Sequence, residues 1–258
     1  MTNQTHYKAV IPAKINLSLV VTRKRDGLHT LDMIVCPCHA YCDEVTFVPR
    51  KNASDVRLFC TAGFAGFDEE RFKKFAQSKT DALATRLGVG GDLYVTKNIP
   101  LGAGLGGSSA VIVGALKAMS DCAGDMGKSV RLDDGFLLSL GSDVPCMSQG
   151  GICRVQGVGE KIETLGCDKT LDFEIVVAQG GADSKECYAL FDKTCQINPS
   201  GAPETVEEAV ERCRNDLFAP ACALNPNIKE AYDALKKKGC EHVVMTGSGS
   251  AVVAVRFV

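Results

Sequence analysis

The run Ile99-Pro-Leu-Gly-Ala-Gly-Leu-Gly-Gly-Ser-Ser-Ala110 carries the densest chemical signal in this chain. Glycine lets a backbone take positive φ at several neighbouring positions and pass close to a ligand. Ser108 and Ser109 stand where an apolar helix, Ser108–Ala123, is expected to begin, and serine is favoured at a helix start. A loop of exposed N–H groups feeding a helix N-terminus binds anions, here most simply a phosphate. The expected ligand is a nucleotide.

Other glycine-rich loops fit less well. No Gly-Lys-Ser/Thr closes the run, so it is not a Walker A loop. Gly102, Gly104 and Gly107 satisfy G-x-G-x-x-G, but Lys97-Asn98-Ile99-Pro100 separates them from the strand-like Asp92–Thr96. No βαβ unit opens the chain, which counts against a dinucleotide oxidoreductase. The apolar Leu101 and Leu105 argue against a flexible linker. Two charged residues outside the loop are candidates for chemistry. Lys14 precedes a strand-like stretch, and Asp143 lies in Gly141-Ser-Asp-Val-Pro145. A carboxylate there either satisfies nearby turn N–H groups or handles a substrate hydroxyl, and residue type alone leaves both open. Cys36-Pro-Cys38-His39-Ala-Tyr-Cys42 has metal-like composition but lacks a second pair at zinc-finger spacing, so small buried hydrophobes account for it better.

These groups need elements to hold them. Strands are expected at Tyr7–Ile11, Leu17–Val21, Leu31–Val35, Glu44–Val48 and Asp92–Thr96, with turns at Arg25-Asp26-Gly27 and Cys42-Asp43. A long helix is expected over Phe67–Leu87 and a short one over Asp133–Leu140, which Pro145 would end. Beyond Gly151 come strands Gly151–Gln156 and Phe173–Ala178, then helices Ser184–Asp192, Glu204–Cys213 and Ile228–Lys238. Strands Glu241–Met245 and Ala251–Phe257 flank Thr246-Gly-Ser-Gly-Ser250. Irregular alternation of this kind indicates α+β, with two domains expected at 1–150 and 151–258. At 258 residues, 45% hydrophobic and 23% charged, the chain has an ordinary globular composition. A net charge of −2 without a basic face disfavours nucleic acid as a partner. No apolar run is long enough to span a bilayer, and thirteen cysteines suit free thiols in the cytoplasm.

The loop, read as Pro-x-x-x-Gly-Leu-Gly-Gly-Ser-Ser-Ala, resembles the phosphate loop of the GHMP small-molecule kinases. Further segments are similar, in the same order, to the 4-diphosphocytidyl-2-C-methyl-D-erythritol kinases of that family. They are Pro12-Ala-Lys-Ile-Asn-Leu17, Arg25-Asp-Gly-Leu-His29, Gly141-Ser-Asp-Val-Pro145, Asn215-Asp-Leu217 and Met245-Thr-Gly-Ser-Gly-Ser250. The resemblance implies a two-lobed fold, with a ribosomal S5 domain 2-like N-terminal domain and a ferredoxin-like C-terminal domain. It implies ATP and Mg²⁺ as cofactors and Lys14 and Asp143 as catalytic residues. Lys97, Pro100, Gly102, Gly104, Leu105, Gly106, Gly107, Ser108 and Ser109 would hold the nucleotide, with Ser108 and Ser109 also on the metal. Asn16, His29, Tyr188, Gly247 and Ser248 would contact a cytidine diphosphate-linked alcohol, in a monomer or homodimer.

The chain departs from that pattern. Leu28 stands where the family has a Tyr that stacks on cytosine, and Val35 where it has a Phe. Ala110 replaces the usual Asp or Asn after the serines, as in mevalonate and homoserine kinases, and the loop is one glycine shorter. A kinase of another small alcohol, or a nucleotide-binding relative without turnover, are therefore the alternatives.

Overall fold

The computed structural model describes residues 5–25, 27–64 and 67–258. By contacts the chain divides into two interleaved units. One comprises the residues up to Ala13, His39–Pro100 and Gly107–Ser148; the other comprises Lys14–Cys38, Leu101–Gly106 and Gln149–Val258.

Two long strands, β1 (Tyr7–Arg25) and β2 (Leu28–Pro49), pair with each other and contribute a segment to each unit. Each merges two of the expected short strands. Lys14, Asn16 and Ser18 interrupt the apolar run of β1, yet all three are buried. The expected turn at Cys42-Asp43 does not form. Asp43 is fully buried inside β2, where its carboxylate meets buried donors that a surface turn would not supply. In the other expected turn, Gly27 has φ +79° and Asp26 lies outside the described residues.

In the first unit, β4 (Gly91–Lys97) runs antiparallel to β2 and parallel to β3 (Val56–Ala62). Helix α1 (Glu69–Leu87) starts on Asp68, whose carboxylate accepts from the Arg71 N–H, and ends at the left-handed Gly88. Helix α2 (Gly107–Asp125) is apolar almost all round and correspondingly buried. It lies so close to the sheet that a Cβ on Gly114 would stand 2.4 Å from Val45 Cγ2. Helix α3 (Asp134–Leu140) is followed by α4 (Val144–Gln149). Pro145 therefore opens a helix rather than closing one. In the first turn its missing N–H has no partner to lose.

In the second unit, β5 (Cys153–Gly157) pairs antiparallel with β2 and with β6 (Lys161–Thr164). A separate antiparallel sheet has the order β7 (Leu171–Val177), β9 (Ala251–Phe257), β8 (His242–Met245). Helices α5 (Ser184–Thr194), α6 (Val206–Arg212), α7 (Phe218–Leu224) and α8 (Asn227–Lys237) complete the unit. Ile228, Ala231 and Leu235 form the buried stripe of α8, which packs on β8 and β9. The α+β class expected from the sequence is the class observed. Among the described residues no helix is long and apolar enough to cross a membrane.

Candidate active site

In the second unit the glycine loop is held by its carbonyls. Ala103 O accepts from Ala251 N at 3.0 Å, Gly104 O from Thr246 Oγ1 at 3.0 Å, and Leu105 O from Lys14 N at 3.0 Å. Ala103 and Leu105 are buried, while Gly102, Gly104 and Gly106 have φ of +67°, +74° and +74°. Left-handed glycines alternating with L-residues make a nest of amides. Because each trans peptide points its C=O and N–H in opposite directions, the N–H groups of Gly104, Leu105 and Gly106 face away from the bonds that anchor the loop. A Cβ on Gly104 would lie 2.0 Å from Thr246 O, so no other residue fits there.

Asn16 ties Lys14 to the same place. Its Oδ1 accepts from Lys14 Nζ and, at 3.0 Å, from Gly247 N, and its own N–H donates to Thr246 Oγ1 at 2.9 Å. Lys14 and Asn16 are nearly fully buried. Gly247 has φ +59°, and a Cβ there would be 3.0 Å from Gly104 Cα and 3.1 Å from Gly104 O, which explains the glycine. The turn is held from behind by Asn215, whose Nδ2 donates to Met245 O (2.6 Å) and Gly247 O (2.9 Å). Ser248 Oγ lies 2.6 Å from Ser184 Oγ at the start of α5.

In the first unit the start of α2 is fixed by a buried ion pair. Lys97 Nζ donates to Asp43 Oδ2 and to Gly107 O (2.7 Å), and Asp43 Oδ1 accepts from the N–H groups of Asn98 and Ile99. Both side chains of the pair are wholly buried. Burial lowers the Lys97 pKa, with the Asp43 charge opposing that shift. The Lys97 ammonium is thus engaged inside the first unit, and Pro100 is half-buried. Ser108 is exposed and Ser109 half-buried at the helix start. Ser109 Oγ would be 3.4 Å from a Cβ on Gly141, which places it against the Gly141-Ser142-Asp143 segment. Asp143 immediately precedes α4, and its carbonyl accepts from Met147 N. Lys79 Nζ, from α1, donates to Leu140 O at the end of α3, and burial lowers its pKa.

A second cluster in the second unit surrounds His29. Its ring stacks on Tyr188 of α5, with centroids 4.8 Å apart and 21° between planes. Phe191 meets the ring edge-on at 6.1 Å, and His29 Nε2 is 2.7 Å from Asp192 Oδ1. One face of Tyr188, a residue expected to contact a base, therefore carries the imidazole. Leu28 is 61% exposed, and Val35 is buried in the core.

Comparison with known proteins fits this geometry. Residues 71–151 match the model for the GHMP kinases N terminal domain, and residues 195–255 match that for GHMP kinases C terminal. A 4-diphosphocytidyl-2-C-methyl-D-erythritol kinase of Prosthecochloris aestuarii is 32% identical over 260 residues, covering 93% of this chain and 85% of that protein. The chain belongs to the GHMP kinases.

Another relative of the same name, from Clostridium beijerinckii, is 31% identical over 94% of this chain and 88% of its own length. A crystal structure of 4-(cytidine 5'-diphospho)-2C-methyl-D-erythritol kinase superposes with TM-score 0.69 at 25% identity, covering 95% of this chain and 88% of that one. A homoserine kinase from Cytophaga hutchinsonii, 17% identical, shares the fold at TM-score 0.68 over 99% and 86% of the two chains.

Within this GHMP kinase, several site-building residues escaped the sequence reading. Asp43 falls in the expected Cys42-Asp43 turn, and Lys79 lies unremarked within the expected helix Phe67–Leu87. Asp216 Oδ2 accepts from Val21 N, and Leu19 and Asn215 form a β-bridge. Asp192 carried a signal that went unused, since it lies one helical turn after Tyr188 on the same face of α5. Among the described residues no cluster of His, Cys, Asp and Glu is arranged to hold a metal. Cys36 and Cys38 are buried, and burial pushes the Cys36 thiol up to about 12.

Proposed function

We propose that this chain transfers the γ-phosphoryl group of ATP to a hydroxyl of 4-diphosphocytidyl-2-C-methyl-D-erythritol, a step toward isoprenoids. The observation that carries this reading is likeness to kinases of that name over 93% of the chain, at both ends and not only at the loop. It is supported by the nest of amides and by the His29–Tyr188 pair.

Phosphoryl transfer asks a protein mainly for positioning and charge balance. The N–H groups of Gly104, Leu105 and Gly106, and those opening α2 at Gly107, would cradle the phosphates. The Ser108 and Ser109 hydroxyls are hard oxygen donors of the kind that suits Mg²⁺, which when bound neutralises phosphate charge. Asp143 orients the substrate hydroxyl and accepts its proton as the new O–P bond forms and the bond to the leaving ADP oxygen breaks. Lys14 offsets negative charge on the transferred group. Lys97 serves the nucleotide indirectly, by locking Gly107 at the start of α2. His29 and Tyr188 receive the cytosine, with Asn16, Gly247 and Ser248 shaping the neighbouring substrate surface. On this reading the enzyme works in the cytoplasm as a monomer or homodimer, with a small molecule as its partner.

The exposed Leu28 favours one second reading, a kinase of a smaller alcohol such as mevalonate or homoserine. Phosphorus NMR of a reaction containing ATP, Mg²⁺ and the cytidylyl alcohol tests the first. The expected result is ADP and a new phosphomonoester on the alcohol in equal amounts. ADP without that ester would overturn it.

A further inference from the structure

We infer that Asp192 is a positioning residue that fixes the tautomer of His29 and, through it, the choice of base; this rests on the cytidylyl reading above. The His29 ring is constrained on several sides. Tyr188 covers one face, Phe191 abuts it edge-on, and Asp192 holds Nε2. Its side chain is only 10% exposed, so it has little freedom to turn. The helix presenting these groups is itself anchored, since Asp183 accepts from Lys185 N and Glu186 N and Phe191 is buried.

Asp192 has two charged neighbours. Oδ2 accepts from Lys24 of β1, while Oδ1 faces His29. Lys24, and after it His29, hold the Asp192 carboxyl below the usual carboxylate range. An ionised carboxylate offers lone pairs and no proton, so the hydrogen of this bond sits on His29 Nε2. In the neutral imidazole the lone pair then lies on Nδ1, at a different edge of the ring. An acceptor there matches the exocyclic amine of cytosine. It opposes the carbonyl oxygen that uracil carries at the same position, because two lone pairs would face each other. The carboxylate thus selects an aminopyrimidine over an oxopyrimidine without touching either. An amide at position 192 removes the selection, since its NH₂ can donate to Nε2 and move the ring hydrogen to Nδ1.

Two measurements on the full-length enzyme test this. Long-range ¹H–¹⁵N spectra, with His29→Gln for assignment, report the tautomer. Steady-state kinetics compare the cytidylyl alcohol with its uridylyl counterpart. The native protein should show Nε2–H and prefer the cytidylyl form. In Asp192→Asn the KM for the cytidylyl alcohol should rise about 10–100-fold, the usual consequence of one mismatched buried hydrogen bond. Its preference over the uridylyl form should largely vanish, while the KM for ATP stays unchanged. A loss of packing alone would raise both alcohol KM values together and leave their ratio intact, which overturns the inference. Nδ1–H in the native ring also overturns it, whether or not the variant folds. Failure of the native enzyme to phosphorylate the cytidylyl alcohol overturns the function as well. Turnover with an unchanged ratio in Asp192→Asn overturns this inference alone.

Discussion

The glycine loop and the His29 cluster belong to the same unit, yet they are built from different parts of the chain's chemistry. At the loop the groups proposed to meet phosphate are backbone amides, and side chains brace them: Thr246 and Asn16 hold the loop and its neighbouring turn in place. At His29 the groups proposed for recognition are side chains themselves, ordered by stacking and one carboxylate. The backbone site tolerates little change in its glycines, because a Cβ on Gly104 strikes Thr246 O and Gly102 and Gly106 hold left-handed conformations. A side-chain site can be rebuilt one residue at a time. That difference lets one phosphate-handling device serve different alcohols while the recognition cluster changes, and it fits a chain that keeps the loop but has Leu28 in place of an aromatic ring.

The largest effect expected is at Asp143, the residue proposed to serve transfer itself. Asp143→Asn should lower kcat by about 10²–10⁴, the reach of a positioned base, with ATP affinity nearly intact. Ordinary turnover in the folded variant would remove Asp143 from the mechanism. Next comes the backbone site. Gly104→Val places a branched side chain where Thr246 O stands 2.0 Å from the Cβ, in a left-handed conformation. Strain of about 1–3 kcal/mol at such a position, added to the clash, should weaken ATP binding by tenfold or more by calorimetric titration. Unchanged affinity in a folded variant would mean that the loop has no part in holding phosphate. The smallest effects lie at the side-chain site. Tyr188→Ala should raise the KM of the cytidylyl alcohol by the equivalent of about 1–3 kcal/mol, leaving that of ATP alone. Leu28→Tyr should lower the same KM, since an exposed aliphatic residue becomes a ring. A change in ATP affinity from either would erase the contrast between the two regions.

The loop and α2 were legible in the sequence because their residues act through conformations that few other residues can adopt. The α+β class followed from local periodicity. Less legible were β1 and β2, where Lys14 and Asn16 fall between two expected strands and Asp43 falls in an expected turn. Asn16 and Asp43 are polar, and each is buried with partners elsewhere in the chain that satisfy it. Such partners are invisible to a local pattern: Asp43 needs Lys97, 54 positions away, and Asn16 needs Thr246, 230 away. Tyr188 was found through resemblance, whereas Asp192 required sight of the histidine it holds, 163 positions earlier. Lys97, assigned to the nucleotide through resemblance, has its ammonium paired with Asp43 inside the core.

The central claim is that a common phosphate site is directed to one substrate by the His29 cluster. Its most direct test is a competition in which the enzyme meets the cytidylyl alcohol, mevalonate and homoserine together, with ATP and Mg²⁺, and initial rates give the ratios of kcat/KM. The account predicts that the cytidylyl alcohol is consumed first, with His29→Gln and Tyr188→Ala narrowing its advantage. Preferential phosphorylation of mevalonate or homoserine, insensitive to either substitution, would contradict it.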